Sequence, residues 1–218
     1  MTTLLSDTPD LRQSIIDACL WMGEAGINQG TSGNISVRIE DGMLITPSAI
    51  PYAEMTPDMM CKLPIEGDWD KTGLKPSSEW RFHQAILAGR ADVHAVVHAH
   101  PAYATALATH RKPIPAVHYM VAAFGGAEVP VADYARFGSE ALSKTVVETL
   151  AERHGCLMAN HGAVTAAPSL AKALWLMEEL ENLARVYTLA LTTGTPVILS
   201  DAQIAETLDA FAGYGLQD

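Results

Sequence analysis

The chain has 218 residues, of which 49% are apolar and 18% are charged, so it is long and apolar enough to bury the core of one domain spanning residues 1–218. Its formal net charge of −11 argues against partners such as nucleic acid or an anionic membrane, which attract clustered Lys and Arg. An anionic substrate would therefore need a local positive field, from a metal ion or from backbone amides at a helix start.

The first predicted elements are a helix and a hairpin. Residues 10–22 place apolar side chains on one helical face, at Leu11, Ile15, Ala18, Cys19 and Met22. The β-rich runs "NISVRI" and "MLIT" flank Asp41-Gly42, which is a good hairpin signal.

The rest of the chain alternates helices and strands without a strict βαβ rhythm. The predicted elements are a helix at 75–89, a strand at 93–100, a helix at about 102–108, mixed strand and loop at 113–138, a helix at 139–155, a strand pair or a strand and turn at 156–166, a long helix at 169–191 and a last helix from 200. This pattern predicts an α/β fold, a single domain whose central, largely antiparallel sheet has helices on both sides.

Localisation is predicted to be cytoplasmic. No apolar run is long enough to span a bilayer, and "MTTLLSDTPD" lacks the basic flank and apolar stretch of a signal peptide. The three scattered cysteines argue against a disulfide framework and fit a reducing compartment.

The stretch "AVVHAHPAY" contains His98 and His100, which share one face of the predicted strand because side chains alternate. Two such imidazoles can bind one metal ion, although hydrogen-bonded core histidines or an exposed strand edge are the commoner explanation of an isolated pair. A catalytic zinc site needs at least one more ligand. The candidates are His83, His94, His110, His118, His154, His161 and Glu79.

Among these candidates, His161 ends an apolar strand beside Gly162, which would let another backbone segment approach closely. Hydrogen bonding to a turn is its alternative role. We interpret His83 and His154 as surface or packing residues, since both lie within helical patterns. Glu79 is either a capping residue of its helix or a metal ligand and general base.

Three segments could hold a phosphate group. Residues 28–34 ("NQGTSGN"), 46–49 ("TPSA") and 76–79 ("PSSE") combine hydroxyl groups with free backbone amides. The first lacks the ending of a P-loop and is not a dinucleotide fingerprint. Turns and helix caps explain each segment alone, so only their occurrence together with a metal motif favours phosphate binding.

In combination, the motifs resemble the L-fuculose-phosphate aldolase branch of the class II aldolase and adducin-head family. The matching pieces run in order along nearly the whole chain and are "NQGTSGNISVR", "DGMLITPSAIPY", "LKPSSEWRFH", "AVVHAHPAY", "IPAVHYM", "NHGAV", "KALWLMEELE" and "YGL". Two positions depart from the family pattern. Ala49 stands where a glycine is usual, and Asn160 stands where some relatives have histidine.

The resemblance implies a site. Zn²⁺, with Mn²⁺ or Co²⁺ as alternatives, would be held by His98, His100 and His161, with Glu79 as the fourth ligand that later moves the proton at C3. Tyr119 and Tyr214 would act at the aldehyde end, in a homotetramer whose active sites lie between subunits. The residues implied in phosphate binding are Thr31, Ser32, Asn34, Ser48, Ala49, Ser77 and Ser78.

The implied reaction is retro-aldol cleavage of a ketose 1-phosphate to dihydroxyacetone phosphate and an aldehyde. The ketose would be of the L-fuculose, 5-deoxyribulose or 5-methylthioribulose type. A metal ion can stabilise the resulting carbanion, whereas Lys62, Lys71, Lys75 and Lys172 lack an obvious apolar pocket for a Schiff base. The alternatives are a pentulose 5-phosphate 4-epimerase, a 3-oxo-tetronate 4-phosphate decarboxylase, and a metal-free module like the adducin head.

Overall fold

A computed structural model describes residues 4–213 of the chain. The predicted Tyr214 lies outside this range. The helices are α1 (Pro9–Glu24), α2 (Trp80–Gly89), α3 (Ala102–Thr109), α4 (Glu140–Leu150), α5 (Leu170–Thr193) and α6 (Asp201–Gly213). Short 3₁₀ helices occupy Tyr52–Glu54, Pro57–Met59 and Tyr119–Phe124. The strands are β1 (Asn34–Ile39), β2 (Gly42–Ile45), β3 (Cys61–Leu63), β4 (Ala95–Ala99), β5 (Ile114–Pro115), β6 (Glu128–Val129), β7 (Val131–Ala132), β8 (Gly155–Met158) and β9 (Gly162–Ala167).

Seven strands form one sheet in the order β3-β2-β1-β4-β9-β8-β7, and β5 and β6 pair separately. Every neighbouring pair in the large sheet is antiparallel except β7 with β8. The predicted hairpin is β1 with β2, and the predicted strand pair is β8 with β9. The expectation of a largely antiparallel sheet is therefore confirmed.

Helices cover both faces of the sheet, as predicted. On β4, Val97 packs in the core with α1, α3 and α5, whereas Val96 packs in the core with α2 and α4. Adjacent residues of one strand thus bury against different helix layers, because strand side chains alternate. None of the helices within residues 4–213 is both long and apolar enough to cross a membrane.

Local capping explains several helix starts. Thr8, Ser139 and Ser169 each accept a hydrogen bond from a backbone N–H in the first turn of the following helix.

The predicted helix at 75–89 is wrong at its start, because α2 begins at Trp80. Residues 75–77 bond instead to residues 46–48, with Ser48 N donating to Lys75 O and Ser77 N donating to Thr46 O, both at 2.9 Å.

Candidate active site

Three neighbouring strands bring distant parts of the sequence to one edge of the sheet. The start of β1 pairs with the end of β4, where Asn34 lies opposite His98. The end of β4 pairs in turn with the start of β9, where Ala99 lies opposite Ala163. His100 follows β4, and His161 lies in the turn before β9, so both project from this same edge.

The histidines His98, His100 and His161 converge at this edge. Their ring centroids are 4.9 Å apart in each of the three pairs, and one nitrogen from each ring lies within 4.8 Å of the others. The Nε2 atoms of His98 and His100 are 3.1 Å apart. Three imidazoles in this arrangement match the donor set of a catalytic metal site.

The hydrogen bonding of His98 fixes which nitrogen faces the cluster. Its Nδ1 lies 2.9 Å from the carbonyl oxygen of Ala163. Because a carbonyl oxygen only accepts, Nδ1 carries a proton and donates it, so Nε2 is the nitrogen whose lone pair can bind a metal once the ring is neutral. This backbone partner is the support that metal-binding histidines usually have.

Glu79 completes the cluster. Its carboxylate lies 3.1 Å from His98 Nε2 through Oε2 and 3.4 Å from His161 Nε2 through Oε1. Although Glu79 occupies the N-cap position of α2, its side chain makes no capping hydrogen bond, so the capping interpretation does not hold. Oε1 is buried and has no hydrogen-bond partner among the described residues. A buried acceptor without a donor beside three imidazoles fits a divalent cation.

The charged groups of the cluster shift one another's pKa values. Burial opposes ionisation of Glu79, but the charge and hydrogen bond of His98, with His161 and Asn34, outweigh it and hold the pKa of Glu79 well below its usual range. Burial, together with the charge of His98, lowers the pKa of His100 and of His161 to about 4. His100 and His161 are therefore neutral, as metal binding requires. For His98, burial is outweighed by the charge and hydrogen bond of Glu79, which raise its pKa.

Gly162 allows the strands to approach this closely. A Cβ atom built on it would lie 2.5 Å from Ala99 O and 2.6 Å from His100 Cδ2. The sequence-based interpretation that Gly162 permits close approach is therefore confirmed, and the backbone it admits is that of the His98–His100 segment.

A cleft of about 450 Å³ opens beside the cluster. It contains six of the seven residues predicted to bind phosphate, along with Glu79, His100 and His161. Its lining comprises Thr31, Ser32, Asn34, Ser48, Ala49, Ser78, Glu79, His100, Tyr134, Ala135, Phe137, Asn160 and His161. The seventh predicted residue, Ser77, is buried, and its Oγ accepts from the backbone N–H of Glu79 at 3.3 Å.

The loops around the cleft are tied together. Asn28 accepts hydrogen bonds through Oδ1 from the backbone N–H of His100 at 3.2 Å and from Ser32 Oγ at 3.4 Å. The bonds of residues 46–48 to residues 75–77 join the other two predicted phosphate segments. All three segments therefore meet at the cleft beside the histidines.

Ala49 has a φ of 60°, the left-handed conformation that favours glycine. We expect Ala49→Gly to raise the free energy of unfolding by about 0.5 kcal/mol, since relief of strain exceeds the added entropy of the unfolded chain. Denaturant unfolding measures the change. Ala53→Gly, in the 3₁₀ helix Tyr52–Glu54, is the control and should lower stability; equal losses in both variants would contradict the assignment.

Asn34 forms hydrogen bonds with two side chains, those of Glu79 and His83, of which only Glu79 has a site role predicted from the sequence. Asn34 lines the cleft, but its Nδ2 donates to Glu79 Oε2 at 3.1 Å and its Oδ1 accepts from His83 Nε2 at 2.5 Å. His83 is fully buried, so its interpretation as a surface residue is wrong, and its role is more than packing. A sequence signal existed, because His83 lies four residues after Glu79 and shares its helix face.

Tyr119, one of the two tyrosines predicted to act at the aldehyde end, lies away from the histidine cluster. Tyr119 is 49% exposed and lines a separate cleft that also contains Phe211. Its ring centroid is 6.4 Å from that of Phe211. Within one chain, the structure therefore does not bring Tyr119 to the histidine cluster.

Two aromatic residues line the cleft, and cationic residues line a pocket beside it. Tyr134 and Phe137 line the cleft and are 57% and 60% exposed. Sequence reasoning missed both, although "DYARFG" shows an aromatic pair between small and polar residues. None of the described lining residues is Lys or Arg, but an adjoining pocket shares Ser78 and Phe137 and is lined by Lys75, Arg81 and Arg136.

Comparison with known proteins places the fold. Residues 13–188 match the family described as Class II Aldolase and Adducin N-terminal domain. The chain is 47% identical to L-fuculose phosphate aldolase of Escherichia coli (strain K12), over 95% of this chain and 96% of that protein. It is 43% identical to a 5-methylthioribulose-1-phosphate/5-deoxyribulose-1-phosphate aldolase of Rhodospirillum rubrum, over 94% and 92% of the two chains.

The structural comparison agrees. A solved L-fuculose 1-phosphate aldolase superposes with a TM-score of 0.90 at 36% identity, covering 94% of this chain and 97% of that one. The full extent of the domain over residues 1–218 stays a prediction, since the family match ends at residue 188. The chain belongs to the class II aldolase and adducin N-terminal domain family.

Proposed function

We propose that this protein is a metal-dependent aldolase that cleaves a ketose 1-phosphate into dihydroxyacetone phosphate and an aldehyde. One observation carries the proposal: three imidazoles and the Glu79 carboxylate converge beside a cleft lined with hydroxyl groups and loop backbone. The similar proteins named above fall into two groups by name, and both act on ketose 1-phosphates.

The phosphate end of the substrate would lie against the hydroxyl-rich wall. We propose that Asn34, Ser48, Ser77 and Ser78 hold the phosphate, with help from the backbone around Thr31, Ser32 and Ala49. All of these residues except Ser77 line the cleft, and Ser77 is buried and accepts from the N–H of Glu79. Side-chain hydroxyls and loop N–H groups are suitable donors for a phosphate. This wall would orient the substrate so that C2 and C3 lie at the histidine cluster.

A divalent metal ion, for which we propose zinc with Mn²⁺ or Co²⁺ as alternatives, would be held by His98, His100, His161 and Glu79 and would act as a Lewis acid toward the charge that develops on the substrate oxygens. When the C3–C4 bond breaks, its electron pair passes to the C2–C3 unit, and a base near Tyr119 takes the proton of the C4 hydroxyl, which gives the aldehyde. Glu79, which takes up a proton from solvent, then delivers it to C3, and the base near Tyr119 returns its proton to solvent. Tyr119 and Tyr214 would assist at the aldehyde end.

The position of Tyr119 supports a further part of the proposal. Because Tyr119 lies apart from the histidine cluster in one chain, it would reach the substrate from a neighbouring subunit. We propose a homotetramer with active sites between subunits, which functions in the cytoplasm.

The decisive experiment incubates the zinc-loaded protein with L-fuculose, 5-deoxyribulose and 5-methylthioribulose 1-phosphates and couples product to a dihydroxyacetone phosphate assay. Comparison of kcat/KM across this panel identifies the substrate. Parallel incubations contain a pentulose 5-phosphate or a 3-oxo-tetronate 4-phosphate. Epimerisation of the first at C4 without release of triose phosphate would favour the epimerase, and carbon dioxide evolved from the second would favour the decarboxylase. Protein purified without bound metal and without activity would favour the adducin-like module.

Positive charge beside the cleft gives a test of the anionic substrate. The double variant Lys75→Gln, Arg136→Gln should raise KM about two- to fivefold at low salt with little change in kcat, since both cations line the pocket that adjoins the cleft. Steady-state kinetics at about 20 mM and about 500 mM salt measure the effect, which should shrink at the higher salt concentration because salt screens the charges. Lys144→Gln is the control, because Lys144 pairs with Glu148 at 3.8 Å; an equal effect there would contradict the prediction.

A further inference from the structure

Behind Glu79 runs a chain of buried polar groups that connects β1 to α2. Ser36 Oγ and His83 Nδ1 are 2.7 Å apart, His83 Nε2 and Asn34 Oδ1 are 2.5 Å apart, and Asn34 Nδ2 and Glu79 Oε2 are 3.1 Å apart. Ser36 and His83 are fully buried, and Asn34 and Glu79 are each 4% exposed. Polar groups this deep in a protein require defined partners.

The donors in this chain can point in only one direction. If the amide of Asn34 were reversed, its oxygen would face the Glu79 carboxylate, and two acceptors would oppose each other. Asn34 Nδ2 therefore donates to Glu79, and Asn34 Oδ1 faces His83. This requires a proton on His83 Nε2. Burial lowers the pKa of His83 to about 3, so the ring is neutral, and its free Nδ1 accepts from the hydroxyl of Ser36.

The two oxygens of Glu79 consequently have different surroundings. Oε2 receives the hydrogen bond of Asn34 and lies 3.1 Å from His98 Nε2. Oε1 has no hydrogen-bond partner among residues 4–213 and lies 3.4 Å from His161 Nε2. A carboxylate held through one oxygen keeps its orientation while the other oxygen stays available.

We propose that His83 is a positioning residue which, through Asn34 and with Ser36 behind it, holds Oε2 of Glu79 so that Oε1 is the oxygen that exchanges the proton at C3. This proposal rests on the proposed function, in which Glu79 is the proton donor. The ring of His83 stacks on Phe82 with centroids 4.6 Å apart, so α2 packing fixes the position of the donor. Positioning partners of this kind are worth about 10- to 100-fold in metal affinity or activity.

Two substitutions separate positioning from packing. His83→Phe keeps an aromatic ring beside Phe82 but removes the donor to Asn34, whereas His83→Gln keeps an N–H donor near the place of Nε2. Metal-free protein is titrated with Co²⁺, whose absorption spectrum reports the ligand geometry. A second assay follows exchange of the C3 hydrogen of dihydroxyacetone phosphate with deuterium oxide, in which C3 gives a proton to Glu79 and receives a deuteron.

We expect His83→Phe to slow the C3 exchange about 10- to 100-fold and to alter the Co²⁺ spectrum, and His83→Gln to recover most of the exchange rate at a similar thermal stability. Ser36→Ala is the milder change, because Ser36 lies at the end of the hydrogen-bonded series farthest from Glu79. It should slow exchange less than His83→Phe. His94→Phe is the matched control. His94 is also buried, but it precedes the start of β4, whereas the histidine cluster lies at the end of β4.

The outcomes are distinct. If His83→Phe and His83→Gln lose equal exchange activity, or if His83→Phe matches His94→Phe in both assays, the positioning role is rejected. Wild-type protein that binds Co²⁺ but neither cleaves a ketose 1-phosphate nor exchanges the C3 hydrogen would reject the proposed function. In that case, an unaltered Co²⁺ spectrum of His83→Phe would also reject the positioning of Glu79, and an altered one would retain it.

Discussion

Replacing His161 by alanine is expected to lower the affinity for Zn²⁺ by at least about 100-fold and to reduce cleavage to background. Complete ligand sets in zinc-finger peptides contribute about 10–16 kcal/mol, and removal of one ligand loses part of such a binding energy. The reason is geometric: His161 supplies one of three imidazoles whose ring centroids are mutually 4.9 Å apart. Elemental analysis of the purified protein, and Zn²⁺ titration in competition with a chelator, measure the loss.

The control for this change is His110→Ala, which removes an exposed histidine outside the cluster and should leave metal content and rate unchanged. Treatment of the wild type with a chelator should abolish cleavage, and added Zn²⁺ should restore it. Far-UV circular dichroism establishes that His161→Ala is folded. A folded His161→Ala protein with wild-type metal content would remove His161 from the proposed site.

The second large effect is expected for Glu79→Gln. The amide keeps the size of the carboxylate and an oxygen that can accept from Asn34 Nδ2, now 3.1 Å from Oε2, but it cannot transfer a proton. Turnover should fall by about 10²- to 10⁴-fold, while metal content falls much less because three imidazoles remain. Cleavage kinetics and metal analysis on the same preparation measure both quantities.

The comparison variant for Glu79→Gln is Glu140→Gln, an exposed acid in the first turn of α4, which should behave as the wild type. The two measured quantities also discriminate between roles. If metal content collapsed in parallel with turnover, Glu79 would be principally a ligand. Turnover near the wild-type value would leave Glu79 without its assigned role.

The residues with a local signature were found from the sequence. His98 and His100 share a face because strand side chains repeat every two residues. Gly162 beside His161 indicated a close approach of two backbone segments, and a Cβ atom at this position would indeed lie only 2.5 Å from Ala99 O. The fold class followed from the alternation of helices and strands, since each needs a partner layer to bury its apolar face.

Features that depend on which segments become neighbours in the fold could not be predicted from the sequence. His83 contacts Asn34 and Ser36 only because β1 lies next to β4 and brings these residues to α2. The start of α2 was placed too early, since the pairing of residues 75–77 with residues 46–48 is a long-range event. Local propensity carries no information on either contact.

The candidate metal site draws on distant segments of the sequence, and this has a consequence for biogenesis. Glu79, His98 and His161 come from the start of α2, from β4 and from the turn before β9, so the complete ligand set exists only once these segments have come together. Metal supply and folding are then thermodynamically linked, and a free ion concentration 1,000 times Kd adds about 4 kcal/mol to the native state. Cells short of the ion should accordingly contain less of this protein, through faster turnover of the apo form.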